Sequence, residues 1–137
     1  MTIPLSYAVI TPARDEAANL PRLAAALAGQ TYSPRAWIVV DDGSTDATPD
    51  ILAGLAAEHA WVRHLDRSSA EGLGLANGRR EGRDLDGFRA GLAALPPGTD
   101  VFVKVDADVD FEPDFFEELT SRFAADPLLG IASGSCN

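Results

Sequence analysis

"AWIVVDDGSTDATPD", residues 36–50, carries a complete change of backbone type. Residues 36–40 are apolar at every position, without the alternation of a half-exposed strand. That continuity suits a strand covered on both faces, as the strands of parallel sheets are. Asp41 and Asp42 end the run, Gly43 permits a tight turn, and Ser44, Thr45 and Asp46 are candidate helix caps. Ile51, Leu52 and Leu55 then fall on the buried side of a helix. A doubly covered strand leading through a short polar turn into an amphipathic helix is the building step of a βαβ unit, and it predicts an α/β fold with a mainly parallel sheet.

The flanking sequence repeats the step. "LSYAVI" (5–10) reads as a first strand, and Leu20, Leu23, Ala24 and Leu27 recur at helical spacing over 16–28, with Gly29 as the stop signal. "WVRHL" (61–65) reads as a third strand. A helix is expected over 84–95, stopped by "PPG", followed by a fourth strand, "DVFVKV" (100–105). Pro113 opens a helix carrying Phe115, Phe116, Leu119 and Phe123, and "GIASG" (130–134) begins a fifth strand. Right-handed crossovers then predict a doubly wound, Rossmann-like sheet in the order 3-2-1-4, helices on both faces, in a single domain spanning 1–137. Residues 66–83 are glycine-rich and aperiodic, longer than most connections in compact domains.

Composition narrows the function. The net charge of −10 argues against nucleic acid as a partner, since affinity for phosphate backbones comes from clustered Lys and Arg. No apolar run approaches the roughly 20 residues of a membrane helix, and "MTIPLSYAVITP" lacks the features of a signal peptide, so the chain reads as soluble and cytoplasmic. The single cysteine, Cys136, allows neither a disulfide nor a cysteine-based zinc site within the chain.

Acidic residues close two strands: Asp41 and Asp42 after the second, Asp106 and Asp108 after the fourth. Ligands of open α/β sheets bind beyond the carboxyl ends of strands, so both clusters are expected beside one crevice. On an extended segment Asp106, Asp108 and Asp110 would look the same way. Their carboxylates are hard ligands suited to Mg²⁺ or Mn²⁺. A committed acid at 41 or 42 suits a group with hydrogen-bond donors, such as a uracil N–H or ribose hydroxyls. Arg79, Arg80, Arg83 and Arg89 offer planar donors for phosphate oxygens. A Gly72, Gly74, Gly78 spacing lies too far from the first strand to serve as a dinucleotide fingerprint.

Together, "VITPARDEAANLPRLAAAL" (9–27), "IVVDDGSTDAT" (38–48) and "VKVDADVDFEPDFF" (103–116) resemble the nucleotide-binding half of a family 2 glycosyltransferase with the GT-A fold. The resemblance implies inverting transfer of a sugar from a UDP- or GDP-linked donor to an acceptor hydroxyl. It implies that Pro12, Ala13, Arg14 and Glu16 line the nucleoside pocket and that one of Asp41 and Asp42 contacts base or ribose. It further implies that Asp106 lies near ribose and sugar, that Asp108 coordinates the metal bridging the diphosphate, and that Asp110 is a further ligand. Arg80 or Arg83 stands in for the usual lysine of the diphosphate site. Asp15 replaces a common Asn.

Complete members continue into an acceptor-binding half that supplies the catalytic base, so the chain is expected to be truncated before that part and to self-associate through an exposed edge. A non-catalytic donor-binding fragment is the alternative reading. In a third, Asp106 is the nucleophile of a haloacid dehalogenase-like phosphotransfer enzyme, although Val109 stands where those enzymes place Thr.

Overall fold

The apolar run at the centre of the sequence is a strand covered on both faces: β2, Ala36–Asp41, has all six residues buried. The structure, a computed structural model, describes residues 5–67 and 80–125, with the side chains of 80–86 excepted. Arg79, the glycines at 72, 74 and 78, and the expected fifth strand therefore lie outside the described residues.

The other strands are β1 (Tyr7–Ala13), β3 (Val62–Asp66) and β4 (Val101–Lys104), and all pair in parallel in the order β3-β2-β1-β4, as the crossover rule predicts. The helices are α1 (Leu20–Ala28), α2 (Thr48–Glu58), α3 (Arg80–Ala93) and α4 (Phe115–Ala125).

Strand alternation divides the core. Tyr7, Val9, Trp37 and Val39 face the side holding Leu20, Leu23 and Leu27 of α1, Leu52 of α2 and Phe116 of α4. Ala8, Ile10, Ala36, Ile38 and Val40 face Phe88 and Leu92 of α3 and Leu95 just beyond its end. Fully burying a large apolar side chain stabilises by about 1.5–3 kcal/mol, so these two layers hold the sheet between helices. Tyr7 stacks on Phe116 with ring centroids 4.6 Å apart, and its hydroxyl donates to Tyr32 O. Burial raises the Tyr7 phenol well above its ordinary value, with the neighbouring Tyr32 adding to the shift.

Several boundaries differ from the sequence expectation for identifiable reasons. β1 runs on to Ala13, so Pro12 and Ala13 are strand residues rather than loop. Helix α1 begins at Leu20, not 16: Asp15 at φ 55° bars an earlier start, Leu20 N–H does reach Glu16 O at 3.0 Å, but Pro21 has no N–H to give Ala17 O, so the continuous ladder starts only beyond that gap. Helix α3 begins four residues earlier than expected, running through Gly82, whose cost of about 1 kcal/mol relative to Ala does not stop it.

Gln30 stands in no recognisable sequence pattern. It is buried, donates to Glu112 O at 2.7 Å and accepts from Phe116 N at 3.1 Å, tying the end of α1 to the start of α4.

Candidate functional site

Because the four strands are parallel, their acid-bearing carboxyl ends share one edge of the sheet. β1 pairs with β2 to the last position, Ala13 opposite Asp41, but its ladder with β4 ends at Ile10 opposite Lys104, closed by Val105 N–H to Ile10 O at 2.9 Å. Beyond Ile10 the two strands separate. This is where the connections leave to opposite sides of the sheet, β1 toward β2 and β3 across to β4, the topological position of ligand crevices in α/β folds. Asp42 and Asp106 flank it: the Asp42 N–H donates to Ala13 O at 3.0 Å, and Asp106 directly follows Val105.

On the β2 side, Asp41 is buried and its Oδ1 accepts from Ser44 N at 3.1 Å and Ser44 Oγ at 2.6 Å, which shapes the turn at Gly43, φ 80°. Ser44 Oγ accepts in turn from Asp15 N at 2.9 Å. Asp15 Oδ1 takes Thr45 N at 2.6 Å and Asp46 N at 3.2 Å. Asp46 Oδ2 accepts Ala17 N at 3.2 Å, and Thr48 Oγ1 accepts Glu16 N at 3.0 Å. The loops after β1 and β2 are thus one hydrogen-bonded unit. Asp46 also accepts the N–H and hydroxyl of Thr48, which acts as the start signal of α2. The Thr48 hydroxyl bond holds the Asp46 carboxyl below its ordinary value, opposed by desolvation and supported by backbone N–H bonds.

This division of labour refines the sequence reading. Asp41 is committed to the turn, and Asp42 is the half-buried acid at the crevice mouth, engaged in an interaction of its own. Of the other predicted nucleoside-wall residues, Pro12 is half-buried, Ala13 buried, and Arg14 exposed at the loop tip. Glu16 is half-buried and accepts from Asn19 Nδ2 at 2.8 Å.

The acidic segment is not extended as expected. Val109 N–H reaches back to Asp106 O at 3.3 Å and residues 106–109 form a turn. Period-two burial nonetheless survives: Val105 and Ala107 are buried, while Asp106, Asp108 and Asp110 are exposed. Asp106 Oδ1 lies 3.4 Å from Lys104 Nζ, and Asp110 Oδ1 accepts Phe111 N–H at 2.9 Å. The Asp108 backbone carbonyl accepts from Arg22 Nη2 at 3.2 Å, which braces the turn against α1.

Among the described residues no three His, Cys, Asp or Glu groups converge as a metal cage. The donor chemistry still fits Mg²⁺ or Mn²⁺. Such ions are held by one or two carboxylates together with phosphate oxygens and waters rather than by all-protein cages.

Helix α3 crosses the opposite face at close range. A Cβ on Gly87 would lie 3.5 Å from Pro12 Cβ and 3.6 Å from Val40 Cγ1, and one on Gly91 would lie 2.4 Å from Ile10 Cγ2. Gly87 sits over the carboxyl ends of β1 and β2 and Gly91 lies deeper, so the helix runs toward the crevice edge in the direction of its first turn. That turn carries Arg80 and Arg83, whose side chains lie outside the description. Arg89 is exposed.

His64 of β3, which no sequence motif marks, faces Asp41 across the sheet: its Nε2 is 3.6 Å from Asp41 Oδ2. None of the helices among the described residues is long and apolar enough to cross a membrane.

Residues 8–84 match the family model described as "Glycosyl transferase family 2". The chain is 37% identical over 94 residues to an undecaprenyl-phosphate mannosyltransferase of Micrococcus luteus, an alignment covering 68% of this chain and 35% of that protein. It therefore spans about a third of the length of that relative. Among solved structures, the mannosyltransferase PcManGT from Pyrobaculum calidifontis, in complex with GDP-Man and Mn²⁺, superposes with a TM-score of 0.71 at 23% identity, over 92% of this chain and 35% of that one. S. aureus TarS residues 1–349 in complex with UDP-GlcNAc superposes with a TM-score of 0.68 at 17% identity, over 96% and 37%. The sheet order and these likenesses give the fold as part of a GT-A-type domain, and the match across the first three strands shows that the chain belongs to glycosyl transferase family 2.

Proposed function

We propose that this chain binds the nucleoside diphosphate of a UDP- or GDP-linked sugar, with Mg²⁺ or Mn²⁺, as the donor half of an inverting glycosyltransferase. The observation that carries the reading is the pair of acid-bearing strand ends, Asp41–Asp42 and Asp106–Asp108, on either side of the β1 end. The GDP-Man and Mn²⁺ bound by PcManGT and the UDP-GlcNAc bound by TarS support the ligand class.

Pro12, Ala13, Arg14 and Glu16 form the nucleoside wall, and Asp42 accepts from base or ribose donors. Asp106 addresses the ribose and sugar side. Asp108, whose carboxylate makes no hydrogen bond or ion pair to a described residue, holds the cation with Asp110 as a further ligand. A divalent ion there supplies Lewis-acid stabilisation of charge developing on the leaving diphosphate. Arg80 or Arg83, on the first turn of α3, adds positive charge at the same oxygens. Deprotonation of the acceptor needs a base within hydrogen-bond reach of its hydroxyl, and none of the donor-side residues is assigned that role.

Calorimetric titration of UDP and GDP, each with Mn²⁺ and with chelator, tests the reading. The expected outcome is metal-enhanced binding of one nucleotide, with Asp108→Asn removing most of the enhancement. Equal affinity with and without metal overturns the cation's role, and no binding of either nucleotide overturns the donor-site reading.

A further inference from the structure

We propose that His64 is a positioning residue for the nucleoside loops, acting through Asp41; this rests on the donor-site reading above. His64 pairs with Val39 in the β2–β3 ladder, which makes it the diagonal neighbour of Asp41 on the same face of the sheet. Its Nε2 is buried and has no hydrogen-bond partner among the described residues, and the Asp41 carboxylate 3.6 Å away is 3% exposed. Neither group can exchange its partner freely for water, and a buried carboxylate is costly unless its oxygens are satisfied.

The two Asp41 oxygens divide the work. Oδ1 is committed to Ser44 through two hydrogen bonds, whereas Oδ2 faces His64. An imidazole carrying its proton on Nε2, as neutral tautomer or imidazolium, points that N–H at Oδ2 from 3.6 Å, so that a small side-chain rotation brings it within hydrogen-bond length. Fixing Oδ2 fixes the carboxylate plane and keeps Oδ1 aimed at Ser44. Ser44 Oγ then holds the Asp15 N–H, and Asp15 Oδ1 holds the amides of Thr45 and Asp46. The relay runs from the interior of β3 to the loop tips that form the nucleoside wall. Its members come from three separate segments, so no short motif in the sequence announces it.

The test compares His64→Gln, whose amide nitrogen reaches about as far as Nε2 and donates, with His64→Met, which fills similar volume without a donor. Three quantities are measured well below every melting temperature: the affinity for UDP and GDP by calorimetry, the exchange rates of the Thr45 and Asp46 amides by NMR, and the melting temperature itself. His64→Met is expected to weaken nucleotide binding about tenfold and to speed exchange of both amides by about the same factor, while His64→Gln stays within about twofold on each. A lowered melting temperature with unchanged affinity and exchange in His64→Met reduces His64 to a packing residue and overturns the proposal. So does equal impairment in both variants. If the unsubstituted protein binds neither nucleotide, the donor-site reading fails; faster exchange of the two amides in His64→Met, retained protection in His64→Gln, would still support the relay, and unchanged exchange would refute it.

Discussion

Replacing Gly91 by Ala tests whether α3 is held at its observed height above the sheet. The added Cβ would stand 2.4 Å from Ile10 Cγ2 and 3.5 Å from both Ile10 Cβ and Cγ1. Carbon–carbon contacts are relaxed at about 3.5–4.0 Å, so the closest contact must open by at least about 1 Å. Ile10 cannot swing aside easily, because it is fully buried and β-branched, with a stiff χ1. Overpacking of this kind costs about 1–3 kcal/mol. Against it, Ala is favoured over Gly inside a helix by about 1 kcal/mol.

Gly54, in α2, isolates the second effect, since a Cβ there meets nothing within 4 Å. Gly54→Ala is therefore expected to stabilise by about 0.5–1 kcal/mol, and Gly91→Ala to fall about 1–3 kcal/mol below it in urea denaturation. Because α3 carries Arg80 and Arg83 on its first turn, lifting the helix should also weaken nucleotide diphosphate binding in Gly91→Ala and leave it intact in Gly54→Ala. Equal stabilisation by the two substitutions would refute the close-packing argument.

Further outcomes follow from the loop unit and the core. Asp15→Asn keeps both an acceptor and tolerance of positive φ and should be near neutral, whereas Asp15→Ala loses the acceptor for two amides and should cost about 1–3 kcal/mol in thermal or urea unfolding. Trp37→Phe removes the 2.9 Å bond from Nε1 to the buried Thr11 Oγ1 and should destabilise by about 2–4 kcal/mol; adding Thr11→Val should recover part of the loss, and no recovery would count against the bond. The Asp46 carboxyl titrates below its unfolded value of 3.8, so its contribution is present above that pH and is lost as pH falls through the lower folded value. Asp46→Asn should flatten that acid limb of the stability–pH curve, and an unchanged limb would assign it to other groups.

The sequence disclosed what depends on local pattern. The unbroken apolar run at 36–40 announced a strand covered twice, and strand–helix alternation led to the observed sheet order. What it hid depends on contacts between segments. Alternate acids at 106, 108 and 110 suggested an extended strand end, but no residue pattern forbids the backbone from turning once β4 leaves its ladder with β1. Asp41 and Asp42 were indistinguishable as letters; only the Ser44 bonds show that the first serves the turn. His64 sits in no motif, and its relevance comes from register with β2, a tertiary fact. The non-glycine residue at φ 55° had one readable signal: Asp, like the Asn it replaces, tolerates that region better than most residues.

The strand order also has a consequence for the order in which the molecule is assembled. β1, β2 and β3 and the loop unit they carry lie within the first 66 residues, so their pairings close short stretches of chain. The β1–β4 ladder must instead close a long one: the contact that opens it, Ser6 N–H to Asp100 Oδ2, joins residues 94 apart. Loop closure of that length is entropically disfavoured until other contacts already hold β1 in place, and non-local pairings are slow for the same reason. During synthesis the β1–β3 segment leaves the ribosome before the acidic turn has been made. The two walls of the crevice thus differ in the length of chain that must close to form them, short for the Asp42 wall and long for the Asp108 wall.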